Sequence, residues 1–227
     1  MKVALTQSVG RLVGLEQALT AHGYQVVRSP LIRTEPLLSA AVRERAAALL
    51  TGPWLLFTSP AAVEAWQALT LPLAGLRARL GAVGAKTAKL IEGSGGEVTL
   101  IGQPATAEGL AEAFLASPLA ASPVGLPRGD RALPTLPVLL EKMGFAVSPV
   151  VIYRTRLLPW AASEVQAVIL ASPSAVEALP EEVGISATLI AIGPSTGAAI
   201  RELGWPYVQA ARPEVTAVLA ALEDVHG

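Results

Sequence analysis

Trp54 to Leu69, WLLFTSPAAVEAWQAL, decides the fold, because much of it is written a second time from Val168 to Leu179 as VILASPSAVEAL. Each copy passes from an apolar run through Ser-Pro into Ala-Val-Glu-Ala. Serine followed by proline suits a helix start: Ser59 and Ser172 can accept from free backbone N–H groups, while Pro60 and Pro173 take the first turn, where a missing N–H costs nothing. The run ahead of each is then a strand. Trp54-Leu55-Leu56-Phe57 and Ala167-Val168-Ile169-Leu170 lack polar alternation, as expected of strands buried on both faces.

Further matches extend the repeat in both directions. LGAVGAKTAKLIEGSGGEV from Leu80 parallels LIAIGPSTGAAIRELGWPYV from Leu189, and TAEGLAEAFL from Thr106 is set against TAVLAALE from Thr216. A second kind of unit is also doubled: Val3 to Ile32 parallels Val124 to Ile152. The chain reads A-B-A′-B′, with Gly23, Gly95, Gly144 and Gly204 stopping helices. Alternating strands and helices predict an α/β protein with parallel sheets flanked by helices. Two similar domains follow if each takes one A and one B unit, and the residues allow A to pair with either B or B′. The stretches near 30–36 and 153–159 are the natural linkers.

Composition narrows the chemistry. The 227 residues contain no cysteine, so disulfides, thiolate metal sites and a cysteine nucleophile are out. The two histidines stand at an expected helix end, His22, and near the last residue, His226, and neither reads as a metal ligand or a triad base. A net charge of −1 and a pI near 6.2 give no basic field for nucleic acid. No charged and apolar leader opens the sequence, and no run has the length of a membrane span. A cytoplasmic monomer is expected.

Candidate binding residues cluster at strand-to-helix turns. Ser59-Pro60-Ala61 and Ser172-Pro173-Ser174 place helix N-termini at the carboxyl edge of a sheet, where open α/β folds bind ligands and where anions are stabilised. Gly84 to Thr87 and Gly193-Pro194-Ser195-Thr196 are glycine turns opening helices, with Thr87 and Thr196 read as first-turn caps. Neither carries G-x-G-x-x-G or a phosphate loop, which argues against a nucleotide cofactor. Arg128-Gly129-Asp130-Arg131 is read as a loop between a strand ending at Leu126 and a helix beginning near Leu133. It brings arginine, a good carboxylate partner, to the same edge.

Taken in order, Phe57 to Val63, Val83-Gly84 through Thr87-Ala88, Pro127-Arg128-Gly129, Val151 to Thr155, Ser172-Pro173-Ser174 and Ala191 to Thr196 resemble the uroporphyrinogen-III synthase family over nearly the whole chain. The resemblance implies that A joins B′. One discontinuous domain would take residues 1–33 and 156–227, the other 36–152, joined by a two-strand linker. It also implies a substrate, hydroxymethylbilane, bound between domains without cofactor or metal. The reaction would be loss of water, inversion of the last pyrrole ring and closure to uroporphyrinogen III. Carried onto this sequence, Ser59, Pro60, Ala61, Thr87, Arg128, Gly129, Ser172, Pro173, Ser174, Gly193 and Ser195 would bind substrate. Tyr153 and Thr196 would be catalytic, Tyr153 donating to the departing hydroxyl, since a phenol keeps its proton at neutral pH. The chain departs from the family at Thr6-Gln7, where Thr-Arg is common, and at Leu170-Ala171-Ser172, where an aromatic usually stands. A non-catalytic two-lobed anion-binding module is the alternative function.

Overall fold

A computed structural model describes residues 1–6 and 12–224. The chain divides into two compact units, residues 1–33 with 156–227 and residues 34–155.

The first unit is built on a five-stranded sheet. Its strands are β1 (Lys2–Leu5), β2 (Gln25–Arg28), β9 (Ala167–Leu170), β10 (Thr188–Ala191) and β11 (Tyr207–Gln209), in the order β11-β10-β9-β1-β2. All neighbours pair in parallel. Alternation along each strand feeds two cores. Val3, Leu5, Ile169 and Ile190 pack with Leu15 and Leu19 of helix α1 (Leu15–Ala21) and with Val218 and Leu222 of α10 (Val215–Glu223). Ala4, Val168, Leu170 and Leu189 turn to the other face, against Val176 of α7 (Pro173–Glu177) and Ile200 of α9 (Pro194–Glu202). Every residue of β9 is fully buried, so the missing alternation in its sequence does mark a strand covered on both faces.

The second unit repeats this plan in permuted chain order. Its sheet runs β3-β8-β7-β4-β5-β6, from β3 (Ile32–Pro36), β4 (Trp54–Phe57), β5 (Arg79–Ala82), β6 (Val98–Ile101), β7 (Val124–Gly129) and β8 (Val147–Leu157). Removing the edge strand β3 leaves β8-β7-β4-β5-β6, the counterpart of β2-β1-β9-β10-β11. β4 pairs with β5, Phe57 opposite Ala82, as β9 pairs with β10, Leu170 opposite Ala191. Trp54, Leu56 and Val124 pack on Leu110 and Phe114 of α5 (Ala107–Ala116) and on Leu136 and Leu140 of α6 (Thr135–Lys142). Leu55 and Phe57 face Val63 and Trp66 of α3 (Pro60–Ala68) and Ile91 of α4 (Ala85–Gly93). Helix α2 (Ala40–Ala48) and the short α8 (Glu181–Ser186) complete the α-helices among the described residues.

Gly23, Gly95, Gly144 and Gly204 follow helices with φ between 73° and 86°, the left-handed turn that stops a helix at little cost only in glycine. Several sequence-based expectations shift. The second Ser-Pro helix ends at Glu177 and α8 starts afresh at Glu181, because Pro180 disfavours helical backbone at Leu179. β7 continues through Arg128 to Gly129, and α6 waits until Thr135, so Arg128 is a strand residue. Thr106 caps α5, accepting from Gly109 N–H at 3.1 Å, whereas Thr216 lies inside α10. The buried residues explain this: Leu110 and Phe114 correspond to Val218 and Leu222, which sets Thr106 opposite Glu214. His22 closes α1 and bonds Glu223 at 3.0 Å, while Gln7 and His226 lie outside the described residues.

Candidate active site

Parallel strands deliver every following helix to the same sheet edge, and the order of strands reverses beside β7 in one unit and β1 in the other. Such switch points leave a crevice at the carboxyl ends of the strands. In the second unit the crevice lies between the ends of β4 and β7. β4 ends at Phe57 and delivers Ser59, whose Oγ accepts from the Ala62 N–H at 3.1 Å and caps α3. Pro60 and Ala61 form the first turn.

The neighbouring end of β7 brings in Gly129, and β8 brings in Tyr153. Arg128 pairs with Val151, then the register slips so that Gly129 pairs with Tyr153. The slip leaves Ile152 an extra residue, fully buried in the core, and aims the next side chain over Gly129. A Cβ on Gly129 would stand 2.5 Å from the Tyr153 Cζ and 2.8 Å from its hydroxyl. Glycine is therefore the residue that lets the phenol lie there. The Tyr153 hydroxyl meets Ser59 Oγ at 3.0 Å. Three expected site residues, Ser59, Gly129 and Tyr153, thus converge from three strand ends.

Arg128 anchors part of its guanidinium in its own turn. One of its terminal nitrogens donates to the Ala132 carbonyl and, at 3.2 Å, to that of Leu133, so the guanidinium is engaged with its own turn. Asp130, in the same turn, accepts from the Thr155 N–H at 3.0 Å.

The glycine turns also depart from simple capping. Gly84 and Gly193 are themselves the N-caps, with extended backbone and no side-chain cap. Thr87 and Thr196 occupy the third helical position and are only 1% and 2% exposed. Among the described residues neither hydroxyl meets a hydrogen-bond partner, an arrangement that disfavours folding unless something else supplies one. Beside Gly84 a Cβ would come within 2.6 Å of Ala105 Cβ, whereas the same side of Gly193 is open. In the first unit Ser172 Oγ accepts from Ala175 N–H at 3.2 Å, Ser174 is half-buried, and Ser195 is exposed in the first turn of α9. The guanidinium of Arg28 is held above its ordinary pKa by the hydrogen bond and then the charge of Glu16, and so stays charged at every working pH.

The model for the family of uroporphyrinogen-III synthase HemD matches residues 14–220, a span that includes these strand-end serines, the glycine turns and Tyr153. The chain belongs to the uroporphyrinogen-III synthase family. It is accordingly a lyase that cyclises hydroxymethylbilane in tetrapyrrole biosynthesis.

Two solved structures carry the same two-domain synthase fold. A mutant uroporphyrinogen III synthase from the extremely thermophilic bacterium Thermus thermophilus is 23% identical, with a TM-score of 0.67 over 100% of this chain and 98% of that one. Uroporphyrinogen-III synthetase from Helicobacter pylori 26695 is 17% identical, with a TM-score of 0.67 over 99% of each chain. At such identities the likeness is one of fold. No curated protein matches the sequence. Among the described residues no helix is long and apolar enough to cross a membrane.

The sequence of this synthase gives no sign that Gly197 and Gln209 meet. A Cβ on Gly197 would stand 2.6 Å from Gln209 Oε1, at the carboxyl end of β11. Comparing the copies exposes the pair, since Ala88 and Ile101 hold the equivalent places in the second unit.

Proposed function

We propose that the strand-to-helix turns of both units hold the acetate and propionate arms of hydroxymethylbilane while Tyr153 donates to its departing hydroxyl. The observation that carries this reading is the 3.0 Å contact between Tyr153 and Ser59 above Gly129. Ser59 Oγ already accepts from the first turn of α3, so its own proton is free to point to the phenol oxygen. The phenol proton is then available to the substrate. Hydrogen bonds in such a chain polarise one another, and the positive end of the α3 dipole acts in the same sense.

Loss of the hydroxyl as water leaves an azafulvene, which the far ring attacks. A spiro intermediate then inverts that ring, and the macrocycle closes. The substrate supplies most of the reactivity once the hydroxyl has left, and the protein restricts the folded chain to one geometry. Thr87 and Thr196 fit this role, because each buried hydroxyl meets no hydrogen-bond partner among the described residues and stands in the first turn of a helix, where a carboxylate is favoured. The open side of Gly193 gives an arm access to the backbone there. In this reading residues 1–33 with 156–227 and residues 36–152 act as the two domains, and the enzyme works as a cytoplasmic monomer without a cofactor.

The test is to supply hydroxymethylbilane to the purified protein and measure the ratio of type III to type I uroporphyrin. Type III in excess is expected; type I alone would overturn the proposal.

A further inference from the structure

The two halves of the repeat differ at one coupled pair of positions. Ala82 pairs with Ile101 in the second unit as Ala191 pairs with Gln209 in the first. Gly102 N–H donates to the Ala82 carbonyl and Ala210 N–H to that of Ala191, each at 2.9 Å, which fixes the equivalence. One copy therefore ends its last strand in an exposed isoleucine, the other in an exposed glutamine. The facing helix changes with it: Ala88 in α4 becomes Gly197 in α9.

The second change leaves room for the first. Gln209 Oε1 occupies the space of the missing Gly197 Cβ, 2.6 Å from where it would stand, and Tyr207 Cε2 lies 2.8 Å from it. The glutamine side chain is thereby laid against the first turns of α9, over the residue that follows Thr196, whose buried hydroxyl meets no hydrogen-bond partner among the described residues. Among the described residues the Gln209 amide has no hydrogen-bond partner of its own.

We propose that Gln209 is a further substrate-contacting residue, donating from its amide to the same carboxylate arm that Thr196 receives, with Gly197 as the positioning residue that makes room for it. This rests on the substrate reading above. The chemistry suits a carboxylate: a neutral N–H donor on the first turns of a helix gives charge-assisted hydrogen bonds without placing a second ion there.

The experiment is steady-state turnover of hydroxymethylbilane to the type III product by wild type, Gln209→Ile, Gln209→Glu, Gly197→Ala and the Gln209→Ile/Gly197→Ala double variant, each with its thermal midpoint. Gln209→Ile restores the residue of the other copy at an exposed position, so the midpoint should hold while KM rises about tenfold, the loss expected for one hydrogen bond to a charged group. Gln209→Glu keeps the shape and adds repulsion, so its KM should rise further and recover partly in salt. Gly197→Ala should raise KM as Gln209→Ile does, and the double variant should be no worse than the poorer single. Wild-type KM in both glutamine variants would overturn the assignment, as would a lowered midpoint with unchanged KM. If wild type itself forms only type I product, the functional reading fails; if it forms type III and the glutamine variants match it, this inference alone fails.

Discussion

Gly129 and Tyr153 share one space: the phenol ring lies where a side chain on Gly129 would be, with Cζ 2.5 Å from the position of a Cβ. Gly129→Ala must therefore move the ring. Because the two residues pair across β7 and β8, the backbone gives little room for escape. A displacement of about 1 Å at a reacting group costs on the order of 10²-fold in rate. We expect kcat to fall by about that factor in a protein with unchanged far-ultraviolet circular dichroism. Wild-type kcat in Gly129→Ala would remove Tyr153 from the reaction.

Ser59 and Tyr153 separate function from stability. Tyr153→Phe removes the hydroxyl and keeps the ring, so the melting temperature should stay close to wild type while kcat drops on the order of 10²-fold, as for a lost proton donor. Ser59→Ala breaks the same 3.0 Å contact and also the cap of α3. It should lower kcat and, in addition, cost about 1 kcal/mol in urea unfolding. Undiminished turnover in Tyr153→Phe would end its role as donor.

Thr87 and Thr196 should show a trade of stability against binding. Each hydroxyl is buried and, among the described residues, without a hydrogen-bond partner, an arrangement that disfavours the unliganded fold by about 1–3 kcal/mol relative to a partnered group. Thr196→Val and Thr87→Val should be neutral or stabilising in thermal melts and should raise KM for hydroxymethylbilane. A destabilised Thr196→Val with unchanged kcat/KM would assign the threonine to the fold instead.

Arg128 tests whether charge or shape matters at the end of β7. Its guanidinium reaches two carbonyls of the following turn, those of Ala132 and Leu133. Lysine keeps the charge and loses the planar fork. We expect Arg128→Lys to speed amide exchange across residues 129–135 and to raise KM. Wild-type exchange and wild-type KM together would show that charge alone suffices.

The doubled Ser-Pro turns were legible because their chemistry is local. A serine caps the helix that follows it, a proline tolerates the first turn, and an apolar run before them has to be buried, whatever the rest of the chain does. The repeat therefore carried the α/β class, the helix starts at Ser59 and Ser172 and the glycine stops from the residues alone. Family resemblance added the pairing of A with B′ and singled out Tyr153.

Tertiary structure decided what depends on partners distant in sequence. The slip between β7 and β8, invisible in either strand's sequence, aims Tyr153 at Gly129 and Ser59. Thr87 and Thr196 read as caps until packing showed them buried at the third helical position. One terminal nitrogen of Arg128 is fixed by carbonyls four and five residues ahead. Gln209 reaches Gly197 because β11 pairs with β10 in a register that sets Gln209 opposite Ala191, close to the first turns of α9. Sequence thus determined where each turn begins, because capping and burial are short-range needs; the side chains that meet at those turns were chosen by strand order and register, which no single segment encodes.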